Sequence, residues 1–255
     1  MNKWLARRCR KFSRRARFGG RTSSSPQSCG TPIIVLSGSS PPLTPAAGGC
    51  KSDTVDCYLI HTPFAFRPGD EQDPRDERDQ VIYDSGVTLV ETWRALERLV
   101  DEGKCKSIGL SDVTLDQLRE IVAAARIKPA VAQVECHPYF PQWDLLEFCR
   151  ENGIVVQAGA PLGHGMDPKV LDDPVITAIA QRVHKTPAQV ALAWAVQRGT
   201  AFLVTSRTAS RIQENFDISS LPEDAMREIR HDITTNVRRN PVVETGVPGF
   251  IPRAR

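Results

Sequence analysis

A histidine at the end of an apolar run is the residue of this sequence best placed to do chemistry. Val55 to Pro63 reads V-D-C-Y-L-I-H-T-P. A continuous apolar stretch of this kind suits a strand buried on both faces, as in a parallel sheet. Thr62-Pro63 then ends it, because proline disfavours a regular continuation. His61 therefore stands at the carboxyl end of a strand, where α/β barrels and open α/β sheets carry out their chemistry. An imidazole there can exchange a proton near neutral pH. A core histidine satisfied by a backbone carbonyl is the competing reading, and position alone does not separate the two. Of the other histidines, His137 and His164 read as structural and His184 and His231 as surface residues. Cys136-His137 has the wrong spacing for a metal pair, and the seven cysteines contain no C-x-x-C, so no metal site is expected.

The elements that must position His61 alternate in type. Strands are expected at Val55–Pro63, Lys104–Leu110, Pro129–Glu135, Ile154–Ala158 and Ala201–Thr205. Between them lie helical patterns. Thr88-x-x-Glu91 is a capping box, followed by an apolar stripe of Leu89, Val90, Trp93, Leu96, Leu99 and Val100 that Gly103 ends. Thr114-x-x-Gln117 caps a helix through Ala125, and another runs from Pro141 to Glu151. A helical pair spans Pro174–Val183 and Pro187–Gln197, the second opened by Thr186-Pro187 as N-cap and first helical residue. Short helices follow at Thr208–Asn215 and Pro222–Arg230. The segment Phe64 to Gly86, dense in Pro, Gly and mixed charge, reads as an exposed loop. Parallel strands need crossover connections and the helices supply them, so the fold class is α/β. The strand spacing is close to that of a (β/α) barrel, but such a barrel closes with eight strands. About five are visible here: a partial TIM-type barrel.

Charge divides the chain. Residues 1–50 carry nine Lys or Arg and no acid within a net charge of +3, so residues 51–255 stand at −6. The first part, M-N-K-W-L-A-R-R-C-R-K-F-S-R-R-A-R-F-G-G-R and a Ser, Pro and Gly-rich run, reads as a disordered head over residues 1–52. It shares its composition with organelle transit peptides and with nucleic-acid or anionic-membrane arms, though no interleaved aromatics offer base stacking. A head without specific function is the preferred reading, and nucleic acid is not an expected partner. Its longest apolar run, Pro32 to Leu36, is far too short to span a bilayer, so no membrane role is expected. Cysteines lying inside apolar elements favour a reducing compartment, the cytoplasm, with an organelle as the alternative if the head is a transit peptide. Residues 53–235 form the strand–helix body and 236–255 an extended, Pro-rich tail.

The body resembles the aldo-keto reductase family over about residues 53 to 235. V-D-C-Y-L-I-H-T-P resembles its D-x-Y-L-I-H-x-P strand, and Thr92 to Glu97 its T-W-x-A-(M/L)-E helix. Ile108-Gly109-Leu110-Ser111 resembles I-G-V-S-N, and Gln133 to Tyr139, Q-V-E-C-H-P-Y, is nearly identical to the family's run. Ala160 to Gly163 resembles S-P-L-G, Lys185 to Val190 K-T-P-A-Q-V, and Arg211 to Phe216 R-I-x-E-N-F. Each motif alone is weak, but their number and order make the resemblance specific.

The resemblance implies hydride transfer from NADPH to a small aldehyde or ketone. His61 would orient the carbonyl. Ser111, Asp112 and Gln133 would meet the nicotinamide amide, Leu162 and Gly163 the pyrophosphate, and Thr205, Ser206, Arg207 and Thr208 the 2′-phosphate. Arg211 would stack on adenine, and Glu214 and Asn215 would hydrogen-bond its amino group. Several positions depart from the family. Asp112 replaces an asparagine and loses a donor, Gly159 stands where a tyrosine stacks on the nicotinamide, and Thr205 stands where lysine is usual. The family's catalytic tyrosine, lysine and aspartate precede the His61 strand, and here that region is the basic head. Tyr58 is expected to pack against helices and Tyr83 to sit in the polar loop. Tyr139 is the remaining candidate acid, with wall packing its better-supported role. The chain therefore resembles the carboxyl two-thirds of a reductase, with turnover strongly impaired. A non-catalytic nucleotide-binding or interaction fragment, self-associating through open sheet edges, and a basic-arm nucleic-acid-binding module are the alternatives.

Overall fold

The computed structural model of the chain describes residues 33–36, 55–67, 74–79, 82–165 and 167–239. Its centre is a parallel sheet in the order β1-β2-β5-β6-β7-β8. These strands are β1 (Ile33–Leu36), β2 (Cys57–Ile60), β5 (Ile108–Ser111), β6 (Val131–Glu135), β7 (Val155–Gly159) and β8 (Ala201–Phe202). The five expected strands are all present, and β8 is cut to two residues. The sixth comes from the head. Ile33 to Leu36 pairs in parallel with Cys57 to Ile60, so the expectation that residues 1–52 lack regular structure is corrected there. Its I-I-V-L run is β-branched and apolar, and a neighbouring strand supplies the hydrogen bonds that it cannot make alone. The rest of residues 1–52, and residues 240–255 of the tail, lie outside the described residues. No strand among the described residues joins β1 to β8, so the described part of the sheet is an open arc.

Helices return the chain between the strands. Helix α1 (Leu89–Asp101) opens on the expected capping box, with the Thr88 side chain accepting from the Glu91 amide and Glu91 from the Thr88 amide. Gly103 follows with φ 69, a left-handed position that glycine adopts without strain. Helix α2 (Leu115–Ala124) carries the same box through Thr114 and Gln117. Helix α3 (Trp143–Glu151) starts two residues later than expected, because Gln142 takes a left-handed conformation. Helices α4 (Pro174–Arg182), α5 (Pro187–Gln197), α6 (Ala209–Phe216) and α7 (Glu223–His231) complete the set. None among the described residues is long and apolar enough to cross a membrane.

Alternation along the strands sets the two faces of the sheet. Tyr58, Ile60, Ile108, Leu110, Ala132, Val134 and Val156 pack with Trp93, Leu96, Leu118, Ile121 and Leu145 of the helices. Fully burying such side chains stabilises by about 1.5–3 kcal/mol each. The Trp93 indole N–H donates to Ile127 O at 3.1 Å, so its polar atom is satisfied too. On the opposite face Leu59 sits against Gly109. A Cβ at Gly109 would come within 2.5 Å of both Leu59 Cδ2 and the Val131 carbonyl. Glycine is what lets these strands keep their spacing.

The expected loop after His61 contains a short strand pair. Ala65–Phe66 (β3) pairs antiparallel with Tyr83–Asp84 (β4). The hairpin is closed by aromatic contact, with Phe64 and Tyr83 centroids 5.1 Å apart and Phe66 stacked on Tyr83 at 5.9 Å.

Candidate functional site

The carboxyl ends of adjacent strands bring the expected residues into one row. The register sets Ser111 opposite Gln133, Gln133 opposite Gln157 and Gln157 opposite Ala201. Their side chains form a ladder: Ser111 Oγ donates to Gln133 Oε1 at 3.4 Å, and Gln133 Nε2 to Gln157 Oε1 at 2.6 Å. Ile60 pairs with Leu110, so His61 follows at the level of Ser111. His61 is exposed, which excludes the core-histidine reading. Asp112 continues from Ser111 with φ 55, and its amide donates to Gln133 O at 2.9 Å. Aspartate and asparagine are the side chains that tolerate this left-handed position best.

The remaining expected residues occupy the loops that leave β7 and β8 at the same end. Gly163 has φ 74, and a Cβ there would sit 2.7 Å from Val170 Cγ2, so only glycine fits this turn. Leu162 is half-buried beside it. Thr205, Arg207, Thr208 and Arg211 are exposed and Ser206 is half-buried; Ser206 Oγ accepts from the Thr208 amide at 3.1 Å. Thr208 is the N-cap of α6, yet makes no side-chain cap bond. Two guanidinium groups beside a helix N-terminus suit a phosphate. Glu214 and Asn215 lie half-buried in the last turn of α6. The Glu214 carboxylate already accepts from the Thr186 hydroxyl, which ties α6 to the N-terminus of α5.

The three tyrosines occupy different surroundings. Tyr58 is buried in the helix-facing core, as expected, and burial pushes its phenol up to about 12. Tyr139 is 3% exposed, and its hydroxyl donates to Asp173 Oδ2 at 2.9 Å. Burial first, then that carboxylate, push Tyr139 up to about 12. Asp173 also caps α4 by accepting from the Val175 and Ile176 amides. Tyr139 is therefore a structural tie, in line with the wall-packing role, and Tyr83 belongs to the aromatic hairpin.

Several further residues at this end were not among the expected site residues. Gln157 extends the ladder, and its one trace was a polar residue at an inward-facing position of an apolar strand. Glu135 and His137 are both buried and meet at 2.8 Å between Oε1 and Nε2. His137 is thus a core histidine, held by a carboxylate rather than a carbonyl. Arg238 and Arg239, in a tail read only as extended, reach this same end of the sheet. Gly159 lies opposite Glu135 in the register and is half-buried.

Comparison with known proteins gives the family and the fold. The Aldo/keto reductase family profile matches residues 49–232. The chain is 40% identical over 219 residues to aldo-keto reductase family 1 member D1 of Mus musculus, covering 81% of this chain and 66% of that protein. It is 43% identical over 197 residues to prostaglandin F synthase 1 of Bos taurus, covering 72% of this chain and 61% of that one. Among solved structures, it is similar to the aldose reductase of Schistosoma japonicum, with a TM-score of 0.70 and 37% identity over 76% of this chain and 62% of that chain. The aldose reductase of Giardia lamblia gives 0.71 and 33%, over 78% and 69%. The chain thus spans 61–66% of the length of these curated relatives. With an open arc of parallel strands, a polar row at their carboxyl ends and this similarity along most of its length, the chain belongs to the aldo/keto reductase family.

Proposed function

We propose that this chain is an NADPH-binding aldo-keto reductase element whose reduction of small aldehydes or ketones is strongly impaired. The observation that carries the reading is the row of His61, Ser111, Gln133 and Gln157 at the carboxyl ends of β2, β5, β6 and β7. Amide and hydroxyl groups there suit a nicotinamide carboxamide, which both donates and accepts. Leu162 and Gly163 would carry the pyrophosphate. Arg207 and Arg211 at the N-terminus of α6 would carry the 2′-phosphate and adenine ends, which favours NADPH over NADH. Bound NADPH would supply the hydride, and His61 would orient the carbonyl oxygen. The weak point is protonation: Tyr58 and Tyr139 are both held near 12 in buried sites, poor acids for an alkoxide at neutral pH. The four described cysteines are free and buried, which fits a reducing compartment such as the cytoplasm. Titrating NADPH and following its fluorescence tests the site, with saturable binding expected. Carbonyl-dependent NADPH oxidation tests the chemistry, with turnover orders of magnitude below that of an active aldose reductase expected; robust turnover would overturn the impairment.

Self-association is a second reading. Phe216 and Ile212 on α6 are exposed, Phe216 to 85%, as is Leu203 just after β8, and among the described residues neither β1 nor β8 has an outer neighbour. Unpaired edges and apolar patches of this kind favour contact with another chain.

A further inference from the structure

Three consecutive tail residues touch the segments that flank both ends of the proposed dinucleotide site. The Val237 amide donates to the Tyr139 carbonyl at 2.9 Å. The Arg239 amide donates to Glu135 Oε1, the same oxygen that meets His137 Nε2. Arg239 is 7% exposed, and its guanidinium donates to the carbonyls of Asp167 and Pro168. Those carbonyls belong to the loop that leaves Leu162 and Gly163. Between these anchors Arg238 lies 5.8 Å over the Phe140 ring. Burial lowers its pKa, and the carboxylates of Glu135 and Asp112 oppose that fall. The segment thus joins the end of β6, the strand that carries Gln133, to the loop expected to hold the pyrophosphate.

We propose that Val237–Arg239 is a strap that sets the distance between the nicotinamide end and the pyrophosphate loop of the site, with Arg239 as its positioning residue. This rests on the dinucleotide reading above. A buried guanidinium fits the task because its planar fork reaches two carbonyls at once. Lysine is a single point donor and would hold one of them. The strap would have the loop ordered before a ligand arrives, and preorganisation of that kind lowers the cost of binding.

Hydrogen exchange on the full chain without nucleotide tests the strap directly. In Arg239→Met, amides of residues 135–140 and 163–170 should exchange roughly tenfold faster, while those of β2 and α5 keep their rates. Arg239→Lys should fall between, and it supplies the reading if Arg239→Met does not fold. Glu135→Gln keeps an acceptor for the Arg239 amide and should stay near wild type. Change confined to residues 237–239, or an equal rise everywhere, would overturn the proposal. NADPH titration then reads the consequence: Arg239→Met should bind roughly tenfold more weakly, and unchanged binding would overturn the positioning role. If wild type binds no NADPH yet the two segments still loosen together, the dinucleotide reading fails and the strap stands.

Discussion

Replacing Gly159 with tyrosine should strengthen nicotinamide binding without unfolding the sheet. Gly159 pairs with Glu135 at the carboxyl end of β7, next to the ladder glutamines. A Cβ built there meets the Val134 carbonyl oxygen at 3.4 Å, its carbon at 3.7 Å and the Glu135 nitrogen at 3.9 Å. These are ordinary contact distances, unlike the 2.5 Å approaches at Gly109. Gly159 is also not among the positive-φ glycines, so a side chain adds no backbone strain. A strand glycine exchanged for a larger residue gains about 0.5–1 kcal/mol from the reduced freedom of the unfolded chain. A phenol ring stacked on the nicotinamide adds about 0.5–1.5 kcal/mol, which is roughly two- to tenfold in affinity. The assay is NADPH fluorescence titration beside urea unfolding, with Gly159→Ala as control. Gly159→Tyr should bind tighter than wild type at equal or higher urea midpoint, and Gly159→Ala should match wild type in binding. A folded Gly159→Tyr with unchanged affinity would refute the placement of the nicotinamide. A loss of more than about 2 kcal/mol in stability would refute the steric reasoning.

Tyr139→Phe should cost about 1–3 kcal/mol in urea unfolding, because the Asp173 carboxylate loses a buried donor, and should leave any residual carbonyl turnover unchanged. The folded pKa values of Tyr58 and Tyr139 lie near 12, above the ordinary 10. The folded state therefore keeps protons that the unfolded chain releases, and stability should be fully present below pH 10 and fall as pH rises from about 10 to 12. Tyr139→Phe should flatten that fall in alkaline thermal melts. Thr186→Ala removes the N-cap of α5 and the tie to Glu214; about 1 kcal/mol or more should be lost in chemical denaturation. Phe216→Ser should lower the average mass seen by light scattering at high concentration, and identical masses for both proteins would count against association through the exposed apolar face of α6.

Much of the fold was legible because its signals are local. Thr88-x-x-Glu91, Thr114-x-x-Gln117 and Thr186-Pro187 act within one helical turn, and each caps the helix it announced. The five body strands stood out as apolar runs between helices, and the residues following them had to lie at one end of a parallel sheet. Helix α3 began later than expected because Gln142 turns left-handed, a choice that its neighbours do not dictate. The hairpin after His61 escaped notice because Phe64 and Tyr83 meet across an intervening charged segment.

Sequence alone determined the alternation of strand and helix, the caps, and the identity of the polar residues at the strand ends, since periods of two and 3.6 residues are written within a few positions. Tertiary structure decided what those residues face. It left His61 exposed, turned Tyr139 toward Asp173, drew Ile33–Leu36 into the sheet, and set Arg239 on Glu135, 104 positions away. Such pairings depend on which distant surfaces remain unsatisfied once the core has formed, and that is settled only when the whole sheet is assembled.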